Sequence, residues 1–176
     1  MIDTLPSHRD RDPASEADLQ TPLGRIRLHW RGETLIGVDL EPMDDPMPDG
    51  AEAIPPRIQA CFTAYFVTHE TCFDIPIALA GTPFQRRVWD ALHAIPPGET
   101  RTYGEIARAL GSGARAVGQA CRANPCPIAI PCHRVVATQG LGGFSGDVTG
   151  RKLGIKRWLL RHEGSERPEW VQGDAT

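Results

Sequence analysis

Cys132 and His133 are neighbours in the run Pro131-Cys132-His133-Arg134-Val135-Val136. A cysteine held beside a histidine can become a thiolate, the form of the side chain that attacks carbon. The pair lies between the apolar Ile128-Ala129-Ile130 and the glycine-rich Gly140-Leu141-Gly142-Gly143-Phe144-Ser145-Gly146, so a short strand and a tight loop would hold it. One Cys-His pair is weak evidence by itself, because many cysteines are simply small buried apolar groups. Two features count against that plain reading. A helix-turn-helix pattern lies upstream, and downstream a short amphipathic helix carries an acid, Glu163, in register with Ile155 and Leu159. That register points the acid at the core, where a carboxylate requires a polar partner.

The elements that must position these groups begin at Thr82. Thr82 can cap a helix, Pro83 suits its first position and Gln85 can complete a capping box. Phe84, Val88, Trp89, Leu92 and Ile95 supply the buried face, and Pro96-Pro97-Gly98 ends the helix. Thr102-Tyr103-Gly104-Glu105 repeats the capping pattern for a second helix ending near Leu110. Gly111-Ser112-Gly113 makes the turn into a third helix from Ala114 to Ala123. Ala114, Val117 and Cys121 are expected to face its core, with Arg115, Gly118, Gln119 and Arg122 on the opposite face. Two helices joined by a short glycine turn, the second with arginines outward, read as a helix-turn-helix. Asn124-Pro125 ends the third helix.

Charge agrees with a polyanionic partner. The whole chain of 176 residues carries a net charge of −3, but this hides two opposed halves. Residues 1–81 hold 6 basic and 14 acidic side chains, a net of −8, whereas residues 82–164 hold 12 and 5, a net of +7. Positive charge is therefore gathered around the helix-turn-helix and the cysteine.

The amino-terminal half offers less chemistry. Residues 1–20 are polar, acidic and without periodicity, and are expected to be a disordered lead-in. Gly24–Trp30 alternates, Arg31-Gly32-Glu33 can turn, and Thr34–Leu40 resumes extended chain, which together predict a β-hairpin. Glu41 through Pro56 is a proline- and acid-rich loop. Ile58, Cys61, Phe62, Tyr65 and Phe66 form one apolar face of a helix from Pro56 to about Val67. Cys72 to Ile77 suggests a further extended segment. Asp39 and Asp74 could suggest a two-metal nuclease, but solvation explains them better. No run of eighteen apolar residues exists and Met1–Pro6 lacks the regions of a secretory signal, so no membrane association is expected. Five cysteines without a compelling pairing point to a reducing, cytoplasmic compartment.

The run Asn124-Pro125-Cys126-Pro127-Ile128-Ala129-Ile130-Pro131-Cys132-His133-Arg134-Val135-Val136 resembles the signature of the O6-alkylguanine-DNA alkyltransferases. The likeness runs from about Gly81 through Gly164, and more weakly back to Thr21. It implies an α/β (α+β) fold with a ribonuclease-H-like domain at residues 21–81, a winged helix-turn-helix domain at residues 82–164 and a tail at residues 165–176. The implied catalytic residues are Cys132 as nucleophile, His133 as the base that takes its proton through a water, Glu163 as the support of His133, and Tyr103 as hydrogen-bond donor to an extruded guanine. Arg115 matches the arginine that occupies the space of the flipped nucleotide, with Ala114, Gln119 and Arg122 on the same DNA-binding surface. Val135, Phe144 and Ser145 join Tyr103 around the substrate, and Asn124 braces the active-site turn.

Two departures from the family pattern are visible. Phe144 stands where tyrosine is common, which keeps an aromatic wall but removes a hydroxyl. The stretch from Asp147 to Gly154 exceeds the usual link to the final helix by roughly four residues; Arg151, Lys152 and Lys156 around it could meet phosphates, though solvation alone explains a short basic loop. No cofactor or metal is implied, since the cysteines and histidines lack a zinc spacing. The expected partner is double-stranded DNA containing O6-alkylguanine, with O4-alkylthymine as a second candidate lesion, bound by a monomer. The rival readings are a non-enzymatic helix-turn-helix lesion sensor or regulator, and a cysteine hydrolase. Sensors of that kind lack the cysteine, and a hydrolase would not explain the basic helix-turn-helix.

Overall fold

Alternating apolar and polar side chains build an antiparallel sheet from β1 (Ser15–Thr21), β2 (Gly24–Arg31) and β3 (Thr34–Asp39), in that order, in a mixed α/β protein. The computed structural model describes residues 13–41, 52–68, 73–146 and 149–165. The chain divides into two units, Met1–Ala80 with Pro125–Pro127, and Gly81–Asn124 with Ile128–Thr176.

In the first unit Ile26, Leu28 and Trp30 of β2 and Leu35 and Val38 of β3 are buried. The predicted hairpin forms, with Arg31 opposite Thr34 and a register shift between His29 and Trp30. The expected lead-in over residues 1–20 needs correction from Ser15 onward, because this stretch pairs with β2 along its whole length. Its acids are cross-strand partners: Arg27 Nε lies 2.7 Å and Arg25 Nη1 3.3 Å from Asp18, and His29 Nδ1 lies 3.1 Å from Glu16. Residues 1–12 lie outside the described residues, as do positions 42–51 of the proline-rich loop.

The helix α1 (Pro56–Thr68) buries Ile58, Phe62 and Tyr65, with Cys61 and Phe66 partly covered. Phe73 meets the edge of Phe62 with ring centroids 5.1 Å apart. The extended segment expected over Cys72–Ile77 joins β3 at a single bridge between Ile77 and Leu35, and Cys72 lies outside the described residues.

In the second unit α2 (Pro83–His93) and α3 (Tyr103–Ala109) both begin with complete capping boxes, from Thr82 with Gln85 and Thr102 with Glu105. Each cap contributes about 1 kcal/mol by satisfying backbone N–H groups that the first turn leaves open. A two-residue strand, β4 (Arg101–Thr102), pairs in parallel with β5 (Val135–Val136). The turn after α3 leads into α4 (Ala114–Arg122), whose buried residues are Val117, Ala120 and Cys121. Ala114 is exposed, contrary to the core position expected from periodicity. Its methyl group suits either environment, so residue type did not fix its side. Trp89 Nε1 donates to the Ala120 carbonyl at 2.9 Å and ties α2 to α4.

The last helix, α5 (Arg151–His162), buries Ile155, Lys156, Leu159 and Leu160. Glu163 caps its end, and Gly164 at φ +72° takes the left-handed conformation that turns the chain away. Among the described residues, no helix is long and apolar enough to cross a membrane.

Candidate active site

A tight 3₁₀ turn, Cys132–Arg134, carries the thiol and the imidazole on consecutive residues. The turn is fixed from behind. Cys132 N–H and Asn124 Nδ2 both donate to the Ile130 carbonyl, each at 2.8 Å. The approach is strained: Ile128, a buried β-branched residue, sits at φ +75°, a conformation such side chains rarely adopt. Cys132 is buried. Burial pushes its thiol up, opposed by a hydrogen bond from the Asn124 side chain and by the nearby Lys156 ammonium. A thiol in that state needs a base to become nucleophilic.

The His133 imidazole is oriented by two further groups. His133 Nε2 lies 2.8 Å from Glu163 Oε1, and both side chains are buried. Arg134, which sequence reasoning left without a role, turns the other way and grips the same carboxylate. Its Nε lies 2.9 Å from Oε2 and its Nη2 2.8 Å from Oε1, while Nη1 donates to the Ile95 carbonyl. Burial alone would push the Glu163 carboxyl up, but His133 and Arg134 hold it well below the usual carboxylate range. Burial lowers His133; Glu163 opposes this, and the neighbouring charges of Arg134 and Lys156 reinforce it. We therefore assign a neutral imidazole donating from Nε2 to an ionised, acceptor-only carboxylate. Nδ1 is buried without a hydrogen-bond partner among the described residues. It is the nitrogen left to accept a proton.

Cys132 opens into a cavity of about 420 Å³. One wall is the face of α4, with Ala114, Arg115, Gly118, Gln119, Cys121 and Arg122; the other is Gly143 to Gly146, with Tyr103 between them. Arg115, Gln119 and Arg122 are exposed, so the mouth is cationic and the floor apolar. Phe144 is buried, and Ser145 stands at φ +48°. Gly142, at φ +70°, passes so close to Tyr103 that a Cβ there would come within 3.1 Å of the ring. Tyr103 donates its hydroxyl to the Gly143 carbonyl at 3.1 Å.

Most of the expected residues thus converge, but three are placed differently. Val135 is buried in β5 and is absent from the cavity lining. Lys156, expected in a solvated basic loop, is fully buried on α5. Its ammonium donates to the carbonyls of Val135, Leu141 and Gly143 at 2.6, 2.8 and 2.9 Å. The signal for its burial was its spacing of three and four residues from Leu159 and Leu160. Arg151 starts α5 instead of lying in a loop, and Asp147 and Val148 lie outside the described residues. Among the described residues no group of three or more His, Cys, Asp or Glu could hold a metal ion. A buried cysteine next in sequence to a carboxylate-bound imidazole, with an arginine-bearing helix beside it, is an arrangement suited to a nucleophile at a surface that can meet a polyanion.

Residues 83–165 match the family described as 6-O-methylguanine DNA methyltransferase, DNA binding domain. The methylated-DNA–protein-cysteine methyltransferase of Mycobacterium bovis is 41% identical over 158 residues, covering 85% of this chain and 92% of that protein. Its counterpart in Methanosarcina acetivorans is 49% identical over 106 residues, covering 58% of this chain and just under two thirds, 64%, of that protein. The crystal structure of Mycobacterium tuberculosis O6-methylguanine methyltransferase superposes with a TM-score of 0.72 at 38% identity, covering 89% of this chain and 96% of that one. A structure of the Mycobacterium tuberculosis protein in complex with DNA gives 0.70 at 36% identity, covering 86% and 93%. The chain belongs to the methylated-DNA–protein-cysteine methyltransferase family.

Proposed function

We propose that this protein repairs O6-alkylguanine in duplex DNA by transferring the alkyl group irreversibly to Cys132. The observation that carries the reading is the position of Cys132. Its sulfur opens into a cavity walled by the arginine-bearing face of α4, with His133, Glu163 and Arg134 buried behind it.

The arginines of α4 contact phosphate or the minor groove, and small Ala114 and Gly118 allow close backbone approach. Arg115 fills the gap left as the damaged nucleotide turns out of the stack, and the base enters the cavity between Tyr103 and the Phe144–Ser145 wall. His133 Nδ1 takes the thiol proton through a water, and Glu163 stabilises the imidazolium that results. The new S–C bond forms as the C–O6 bond breaks, and the electron pair leaves with guanine. Hydrogen bonding from Tyr103 supports departure of the base, which takes up one proton. Cys132 ends as a thioether, and nothing in this machinery regenerates the thiol, so one molecule repairs one lesion.

The chain is read as a ribonuclease-H-like domain at residues 21–81 followed by a winged helix-turn-helix domain at residues 82–164. A sheet packed beside a helix in the first part, and the α3–α4 pair followed by short β5 in the second, support that assignment. The protein is read as a cytoplasmic monomer without a cofactor; that Cys121 and Cys132 form no disulfide among the described residues supports the reducing compartment. A lesion sensor would need no thiol, and the presence of Cys132 favours transfer. Incubation with duplex containing O6-methylguanine, followed by intact-mass measurement, tests the reading. One methyl group per molecule is expected, with no turnover beyond it; binding without any mass gain would assign the chain to the sensors.

A further inference from the structure

We propose that Lys156 is a positioning residue that frees the Tyr103 hydroxyl to donate to the substrate base. The inference rests on the alkyl-transfer reading above and adds a part to it. Tyr103 has one hydroxyl hydrogen, and in this structure it goes to the Gly143 carbonyl at 3.1 Å. It cannot serve that carbonyl and an incoming base together. Moving it would strip a carbonyl on the cavity wall of a partner, at the cost of a hydrogen bond.

Lys156 removes that cost. Its ammonium sits on the same Gly143 carbonyl at 2.9 Å and 5.8 Å from the centre of the Tyr103 ring. A carbonyl oxygen has two lone pairs, so it accepts from both donors at rest and keeps the charge-assisted one when the phenol leaves. The remaining two ammonium hydrogens hold the Leu141 and Val135 carbonyls, which ties the glycine-rich wall to the strand that follows the Cys132 turn. An ammonium is costly to bury, and three carbonyls converge on this one with no carboxylate among its recorded partners. Such a group fixes backbone without adding a salt bridge to the cavity. Without it, Tyr103 becomes the donor on which Gly143 depends, and the hydroxyl stays on the wall.

A double-mutant cycle tests this directly. Single-turnover transfer from O6-methylguanine duplex to Cys132 is measured for the unaltered chain, Tyr103→Phe, Lys156→Met and the double variant, with circular dichroism confirming the fold. Tyr103→Phe is expected to slow the unaltered chain by about a hundredfold, the scale of a positioned proton donor. In the Lys156→Met background the same change is expected to slow transfer by less than about threefold, because the hydroxyl no longer reaches the base. A full, additive loss in that background overturns the inference. Lys156→Leu, which likewise removes every ammonium hydrogen, carries the same cycle if the methionine variant does not fold. Failure of both to fold overturns it as well, since Lys156 would then be a general requirement of the core. Absence of transfer by the unaltered chain would instead reject the underlying function.

Discussion

Arg134 binds both oxygens of the Glu163 carboxylate, and one of those oxygens also receives His133 Nε2 at 2.8 Å. The acid behind the base is therefore shared between a permanent cation and a titratable one. That sharing allows His133 to remain neutral beside a buried carboxylate, which a general base requires.

Arg134→Met tests the sharing. The change takes the guanidinium from both carboxylate oxygens and from the Ile95 carbonyl, and breaking a buried ion pair costs about 3–5 kcal/mol. The carboxylate charge left uncompensated by the guanidinium draws His133 toward its protonated form, which cannot accept the thiol proton. Urea unfolding should show the loss of stability, and the histidine ring resonance should titrate at higher pH. Unchanged stability with an unchanged titration would leave Arg134 without this role.

Acid should weaken the fold through the same cluster. The folded Glu163 carboxyl is held well below its ordinary range and His133 is lowered as well, so in both cases the unfolded chain binds more protons as pH falls. The Glu163 contribution is complete above the unfolded carboxylate value of about 4.3. It is lost as pH drops through the lower folded value. Melting temperatures between pH 5 and 3 should therefore fall more steeply for the unaltered chain than for Glu163→Gln, which starts lower but has no carboxylate to titrate. Parallel slopes would contradict the assignment.

Arg115 is exposed at the mouth of the cavity, where it can enter a duplex. Arg115→Ala should slow transfer from duplex DNA by about tenfold or more, equivalent to about 1.4 kcal/mol. Transfer from free O6-alkylguanine base, which needs no extrusion, should change by less than about twofold. Equal slowing on both substrates would make Arg115 a structural residue.

The sequence was most informative where local chemistry decides the outcome. Thr82 with Gln85 and Thr102 with Glu105 mark helix starts because their side chains satisfy backbone groups three residues away. The register of Glu163 with Ile155 and Leu159 pointed it inward, and His133 is among the partners it meets there. Long-range pairing was harder to see. Residues 15–20 looked like part of a disordered acidic lead-in because their partners, Arg25, Arg27 and His29, lie on the next strand. The burial of Lys156 and of Arg134 was not anticipated because lysine and arginine are almost never fully buried unless paired. Their partners are backbone carbonyls and a distant carboxylate, which no local spacing reveals.

The most direct test of the whole account is peptide mapping after reaction with duplex DNA carrying one O6-methylguanine. Cys121 and Cys126 are internal controls, since burial pushes both thiols up to about 12. One methyl group is expected on Cys132 alone, and a folded Cys132→Ser variant should still bind the methylated duplex but gain no mass. Methyl on Cys121 or Cys126 with Cys132 unmodified, or normal repair by the serine variant, would contradict it.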